Sequence, residues 1–289
     1  DTPSRLTQGL PPPHGAGRSI PCPGGPQMPD PFPSHDAYRP AEIAALIETA
    51  GVAKAALPAP QMFVLALLAG AFIGFGAAAY TMVMTGTDLA FGPARLLGGA
   101  VFSLGLILVI VGGAELFTGN ALMVMAAVDR RITPGALLRN WGIVLAGNLA
   151  GAVALALAFG QTGLLDGPMG ATAARIATAK AALPLWEAFT RAILCNALVC
   201  LAVWLTFAAR DVTGKVLAIL WPVTAFVLLG LEHSVANFWF FPAGLLAGAD
   251  LAPAAIAANL LAVTLGNVIG GAGGVALAYR YAYRPTRPG

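Results

Sequence analysis

From about residue 60 to its end the chain runs in long apolar blocks, interrupted by short polar or glycine-rich stretches. A helix needs roughly 20 apolar residues to cross the hydrocarbon core of a bilayer. Blocks of that kind predict six spans, at about 61–86, 94–128, 136–160, 184–209, 215–248 and 252–282. The second and fifth are too long for one simple pass, and each holds a polar cluster: "GGAELFTGN" in the second, "GLEHSVANFWF" in the fifth. Ahead of the first span, "YRPAEIAALIETAGVAKAAL" begins with Pro-Ala-Glu and carries apolar residues at helical spacing. Ile43, Leu46, Ile47 and Ala50 form its stripe, which predicts an amphipathic helix over 39–57 lying along a membrane surface.

Composition agrees with the pattern. The 289 residues are 58% hydrophobic and only 10% charged, where a soluble domain has about a quarter charged. The predicted fold class is therefore an all-α polytopic membrane protein, with a transmembrane domain over 58–284. Residues 1–38 are different: rich in Pro and Gly and without apolar period, they are expected to form a disordered tail. That stretch lacks the continuous apolar run of a signal peptide. Because the chain opens on Asp1 and not Met, further residues are expected upstream. Residues 285–289 are expected to form a short C-terminal tail.

Net charge is only +3, so its distribution carries the information. Cytoplasmic loops hold the excess of Lys and Arg. With the N-terminus inside, the inner segments hold Arg39, Lys54, Arg130, Arg131, Arg139, Arg210, Lys215, Arg280, Arg284 and Arg287. The outer loops hold Arg95, Arg175 and Lys180, with Arg191 inside the fourth span. Both termini are expected in the cytoplasm.

The two polar clusters match each other. Gly113-Ala-Glu115 through Asn120 and Gly230-Leu-Glu232 through Asn237 both read G-x-E-x-x-x-x-N, 117 positions apart. Asn140 followed by "GNLAG" in the third span is answered by Asn259 and "GNVIG" in the sixth, 119 positions apart. Duplicating a three-helix unit inserts the second copy upside down, which predicts an inverted 3+3 repeat with broken second and fifth helices. Broken backbone at membrane depth is tolerated where it is protein-buried or lines a cavity. The plainer alternative is chance matching of glycines that serve close helix packing. Glu115 and Glu232 are read as structural acceptors for backbone N–H groups freed at the breaks.

"GGAELFTGN", "GLEHSVANFWFFPAG", "AKAALPLWEAFTRAILCNALVCLAVWL" and "NLLAVTLGNVIGG" resemble the formate/nitrite transporter family over residues 37–283. The resemblance implies an aquaporin-like homopentamer in the bacterial inner membrane, each protomer with its own pore for formate, nitrite or, in one branch, hydrosulfide. It implies His233 as the central pore histidine, with Thr118 and Asn267 as hydrogen-bonding neighbours. By the same resemblance Phe102 and Phe226 form the periplasmic constriction, with Leu106 one turn beyond Phe102. Leu116, Phe117 and Val199 belong near the cytoplasmic constriction. Lys180 draws anions toward the vestibule, and Asn196 is a further polar position of the fourth span. The loop after "FFPAG" is shorter here than in several formate channels, which weakens formate against nitrite. The Phe-Trp-Phe-Phe run after Asn237 is bulkier than the Met-containing versions.

The implied chemistry is physically coherent. A bare anion pays heavily for entering low dielectric, and formate and nitrite can be carried as conjugate acids. A histidine, with an unperturbed pKa of about 6.5, can protonate or hydrogen-bond the anion. Plain packing remains open for His233, snorkelling for Lys180, and lipid-facing or core roles for Phe102 and Phe226. The N-terminal helix reads equally as a gate, as the resemblance suggests, or as a surface anchor. Enzymatic readings fare poorly: there is no nucleotide loop or metal-ligand cluster, and His14, His35 and His233 are the only histidines. A haem subunit needs paired ligands, and the Asn-Pro-Ala loops of an aquaporin are absent. Cys22, Cys195 and Cys200 form neither a metal set nor a disulfide framework and read as small apolar filler. No cofactor and no nucleic-acid partner are expected; protons and lipid are.

Overall fold

The structure, a computed structural model, describes residues 37–283. Most of the N-terminal tail, with Cys22, His14 and His35, lies outside the described residues, as do Arg284 and Arg287. Every regular element among the described residues is helical. The order is α1 (Pro40–Ala56), α2 (Ala59–Val83), α3 (Phe91–Gly112), a 3₁₀ turn (Gly119–Met123) running into α4 (Val124–Val128), and α5 (Pro134–Gly160). Then come α6 (Pro168–Ala181), α7 (Leu185–Ala208), α8 (Val212–Leu228), α9 (Ser234–Leu246) and α10 (Pro253–Val268). A π-helical stretch (Ile269–Leu277) joins α10 to α11 (Ala278–Ala282).

Five of these helices are long and apolar enough to cross a membrane: α2, α3, α5, α7 and the continuous Pro253–Ala282. The other two predicted spans divide differently. Region 94–128 becomes a full-length α3 plus the short Gly119–Val128, whereas 215–248 becomes α8 and α9, each too short alone. Start signals are local. Thr133 caps α5 by accepting from Ala136 N–H at 3.1 Å, and Asp211 caps α8 by accepting from Gly214 N–H at 2.8 Å.

The two "GNxxG" segments pack closely in the same way. A side chain on Gly151 of α5 would place its Cβ 1.9 Å from Leu67 O of α2, and one on Gly270 would place it 2.0 Å from Ile193 O of α7. The missing side chains let backbones touch, which gives the close van der Waals packing that helps hold helices together in lipid. This seats Asn148 and Asn267 deep in the core, fully buried.

Two elements differ from the sequence expectation. Residues 168–181 fall within an expected outer loop, yet α6 is a 14-residue helix opened by Pro168, burying Met169, Gly170, Thr172, Ala173 and Ala177. It packs on α9, where a Cβ on Gly244 would sit 2.3 Å from that of Ala177. In α1 the buried face is Ile43, Ala44, Ile47 and Gly51, with Leu46 and Ala50 only partly buried. That face joins Ala121, Leu122, Met125 and Val203 in one apolar cluster, so α1 is seated on protein along this side. Tyr38, just before it, donates its N–H to Ala208 O at 3.1 Å, and the Arg210 guanidinium lies 4.1 Å from its ring centroid.

Candidate functional site at two helix breaks

Both breaks begin on a left-handed glycine, Gly113 (φ 80°) and Gly230 (φ 70°). The next N–H reaches back to the fifth residue before it: Ala114 to Val109 O at 2.8 Å, Leu231 to Phe226 O at 3.0 Å. This is the Schellman closure of a helix C-terminus. The glutamate follows. Glu115 takes Lys54 Nζ at 2.6 Å and Asn120 Nδ2 at 2.7 Å. Glu232 takes Lys180 Nζ at 2.8 and 3.0 Å and Asn237 Nδ2 at 2.9 Å. Asn120 then donates to Asn140 Oδ1 at 2.9 Å, and Asn237 to Asn259 Oδ1 at 3.0 Å.

The backbone opened by each break is held by a different residue. Asn148 Oδ1 accepts from Phe117 N–H at 2.9 Å, and its Nδ2 donates to Ala66 O and Glu115 O. Asn267 repeats this, accepting from Ser234 N–H at 2.9 Å and donating to Ala192 O and Glu232 O. The expectation that Glu115 and Glu232 accept these N–H groups is thus corrected. A lysine stands within reach of each carboxylate, and the charge-assisted bond wins. Asn196 donates to Thr118 O at 3.1 Å and to Asn267 O at 2.7 Å, tying the first break to α10, whose Asn267 holds the second.

At the centre the likeness ends. His233 is the N-cap of α9: its Nδ1 accepts from Ala236 N–H at 3.2 Å. With Nδ1 an acceptor, the neutral ring carries its proton on Nε2, which sits 2.9 Å from Thr118 Oγ1 and donates to it. Asn267 bonds the peptides flanking His233 and not the ring, so its influence on the imidazole runs through backbone. The ring stacks on Phe226 at 5.9 Å, and Phe226 meets Phe102 edge-on at 5.6 Å.

Two vestibules approach this centre. One, of about 210 Å³, is lined by Tyr80, Arg95, Lys180, Arg191 and Glu232, with Phe102, Phe226 and His233 at its inner end. The other, of about 300 Å³, is lined by Lys54, Glu115, Thr206 and Lys215, with Leu106 and Leu116 at its inner end. Between them is a chamber of about 10 Å³, bounded by Phe102, Phe226 and His233 toward the first vestibule and Leu106 and Leu116 toward the second, with Val199 in its wall. That is about the least space that holds one water. Phe117, expected at the inner constriction, is not in this lining; its ring packs edge-on to Trp141 at 6.1 Å. Asn148 and Lys54 are the site residues sequence reasoning passed over, although "GNLAG" and the helix pattern marked where they stand.

Long apolar helices, two re-entrant breaks and a narrow passage between charged vestibules define a membrane channel or transporter. Residues 41–281 match the family model described as formate/nitrite transporter, and the chain belongs to that family. It is 43% identical over 249 residues to a Bacillus subtilis (strain 168) protein described as the uncharacterized transporter YrhG, covering 85% of this chain and 93% of that one. It is 38% identical over 271 residues to the formate channel FocA of Escherichia coli (strain K12), covering 86% of this chain and 95% of FocA. A solved structure described as a pentameric formate channel with formate bound superposes with a TM-score of 0.72 at 38% identity, covering 78% of this chain and 97% of that one.

Proposed function

We propose that this chain is the protomer of a homopentameric channel in the bacterial inner membrane, passing formate or nitrite through one pore per protomer. The relatives' names support the substrate and assembly. The observation that carries the pore assignment is the chamber itself: it shares walls with both vestibules, and among the described residues His233 is its only polar lining residue. We place the transmembrane domain at 58–284 as an inverted 3+3 repeat, supported by the matched bonding of the two breaks. Helix 39–57 lies at the membrane surface and the tails 1–38 and 285–289 in the cytoplasm, supported by the basic residues of that side.

The chamber is too small for the anion as it stands, so passage requires Phe102, Phe226, Leu106 or Leu116 to swing aside. An anion reaching His233 competes with Thr118 for the Nε2 proton. The neutral ring offers it a hydrogen bond. Transferring a proton requires Nδ1 to be protonated first, which sacrifices the bond from Ala236 N–H and opens the α9 cap. The arrangement therefore favours His233 as a hydrogen-bond donor to the passing anion, with Thr118 as its resting partner. The lining gives no physical reason to rank hydrosulfide with the oxyanions.

The test is uptake of formate, nitrite and hydrosulfide by proteoliposomes across pH 5 to 8, with His233→Ala and His233→Asn beside the wild type. We expect His233→Ala to lower anion flux by at least about tenfold, the order of one lost hydrogen bond to a charged group. His233→Asn, which keeps a donor and can cap α9, should retain part of it. Wild-type rates and pH dependence in both variants would remove His233 from the mechanism.

A further inference from the structure

Three cations line the first vestibule, and they are not equivalent. Lys180 donates to both oxygens of Glu232 and sits 5.2 Å above the Phe240 ring. Arg191 donates to Glu187 at 2.9 Å. Arg95 has no carboxylate within ion-pair distance among the described residues. Its Nη1 donates to Tyr80 Oη at 2.8 Å, and Tyr80 is itself buried, edge-on to Phe240. Its Nε is buried with no hydrogen-bond partner. A buried N–H left open is costly and calls for an acceptor.

The position of the guanidinium is set by the break. A Cβ on Gly230 would lie 2.7 Å from Arg95 Nη2, so the guanidinium rests against the bare Cα where α8 ends. Arg95 also stands seven residues, two helical turns, before Phe102 on α3 and so shares its face. It is the last cation before the aromatic constriction on that face.

We propose that Arg95, rather than Lys180, is the docking residue of this vestibule: its guanidinium swings off the Gly230 backbone to offer the Nε–Nη2 edge, closed to solvent at rest, to a planar monovalent anion with an O–X–O group, a carboxylate or nitrite. With Nη1 held by Tyr80, the remaining edge is the fork that matches two oxygens at once. The paired Lys180 contributes little net field because Glu232 lies beside it. The proposal rests on the anion-channel reading above and adds to it the residue that captures the anion and selects for its shape.

The experiment measures formate uptake against concentration in proteoliposomes of the full chain, at low and high ionic strength. Wild type is compared with Arg95→Gln, Arg95→Lys and Arg191→Gln. Arg95→Gln should raise the half-saturating formate concentration about five- to tenfold, the order of one charge-assisted hydrogen bond at a partly exposed site, with maximal rate within about twofold. Its salt dependence should flatten, because the unpaired charge is what salt screens. Arg95→Lys keeps the charge and loses the fork, and should raise the value about threefold; this variant decides the matter if Arg95→Gln does not assemble. Arg191→Gln should shift it less than twofold, its charge being paired and exposed. Wild-type half-saturation in the Arg95 variants, or an equal shift in Arg191→Gln, overturns the proposal while leaving the channel reading intact. A wild-type protein that takes up neither formate nor nitrite overturns both.

Discussion

The break after α3 and the break after α8 are assembled from the same parts. Each has a left-handed glycine, a glutamate paired to a lysine, an asparagine bridging that glutamate to a second asparagine, and a third asparagine holding the loop backbone. Outside these shared parts they differ, above all at the residue after the glutamate, Leu116 in the first and His233 in the second. The shared parts explain how non-helical backbone survives in an apolar core: the glycine closes the helix end, Asn148 and Asn267 hold the loop backbone, and the lysine and bridging asparagine satisfy each glutamate. The residue that differs faces the chamber in both cases, one apolar and one able to hydrogen-bond an anion. Scaffold and chemistry are thus carried by separate side chains, side by side in the case of Glu232 and His233.

Even the shared parts are not equally buried, and that difference can be broken by mutation. The Lys180 and Glu232 side chains are 15% and 5% exposed, against 30% and 7% for Lys54 and Glu115. Glu232→Ala should therefore cost about 3–5 kcal/mol, the usual penalty for stranding one partner of a buried pair. Glu115→Ala should cost closer to about 1–2 kcal/mol, because Lys54 on α1 can turn toward solvent. Thermal unfolding in detergent, read as loss of the assembled form, ranks the two; equal costs would mean that burial does not separate the breaks.

Replacing Asn148 or Asn267 by Ala should destabilise by about 1–3 kcal/mol for each buried group orphaned. The sharper readout is flux. Asn267 holds Glu232 O and Ser234 N–H on either side of His233, whereas Asn148 holds Glu115 O and Phe117 N–H on either side of Leu116. Asn267→Ala should thus depress formate uptake more than Asn148→Ala at matched protein levels. Comparable to Glu115→Ala are the glycines: Gly113→Ala and Gly230→Ala each place a Cβ in left-handed backbone, at about 1–2 kcal/mol. Gly230→Ala should in addition raise half-saturation for formate, since its methyl displaces the Arg95 guanidinium, while Gly113 has open space and should not.

Much of this was legible in the chain because membrane burial makes polar residues conspicuous. Glu115, Asn120, Glu232, His233 and Asn237 stood out as the polar interruptions of apolar blocks, and their spacing marked two related breaks. Their partners did not stand out. Lys54 and Lys180 lie 61 and 52 residues before the carboxylates they meet, on segments that read as surface. Helix α6, which carries Lys180, is short and rich in Ala and has no span-length apolar run, so it passed for loop. Phe117 sits one residue from Leu116, yet backbone turning within the break aims it at Trp141 and Leu116 at the chamber.

Sequence alone determined that this protein lives in a membrane, where its helices break, and that one break carries a histidine the other lacks. Those features follow from composition and local spacing, because lipid admits only satisfied backbone and rejects stray charge. The tertiary structure decided which glutamate meets which lysine, which asparagines hold backbone, and which vestibule arginine remains unpaired. These depend on helices brought together from distant parts of the chain, at glycine contacts close enough for short polar side chains to bridge.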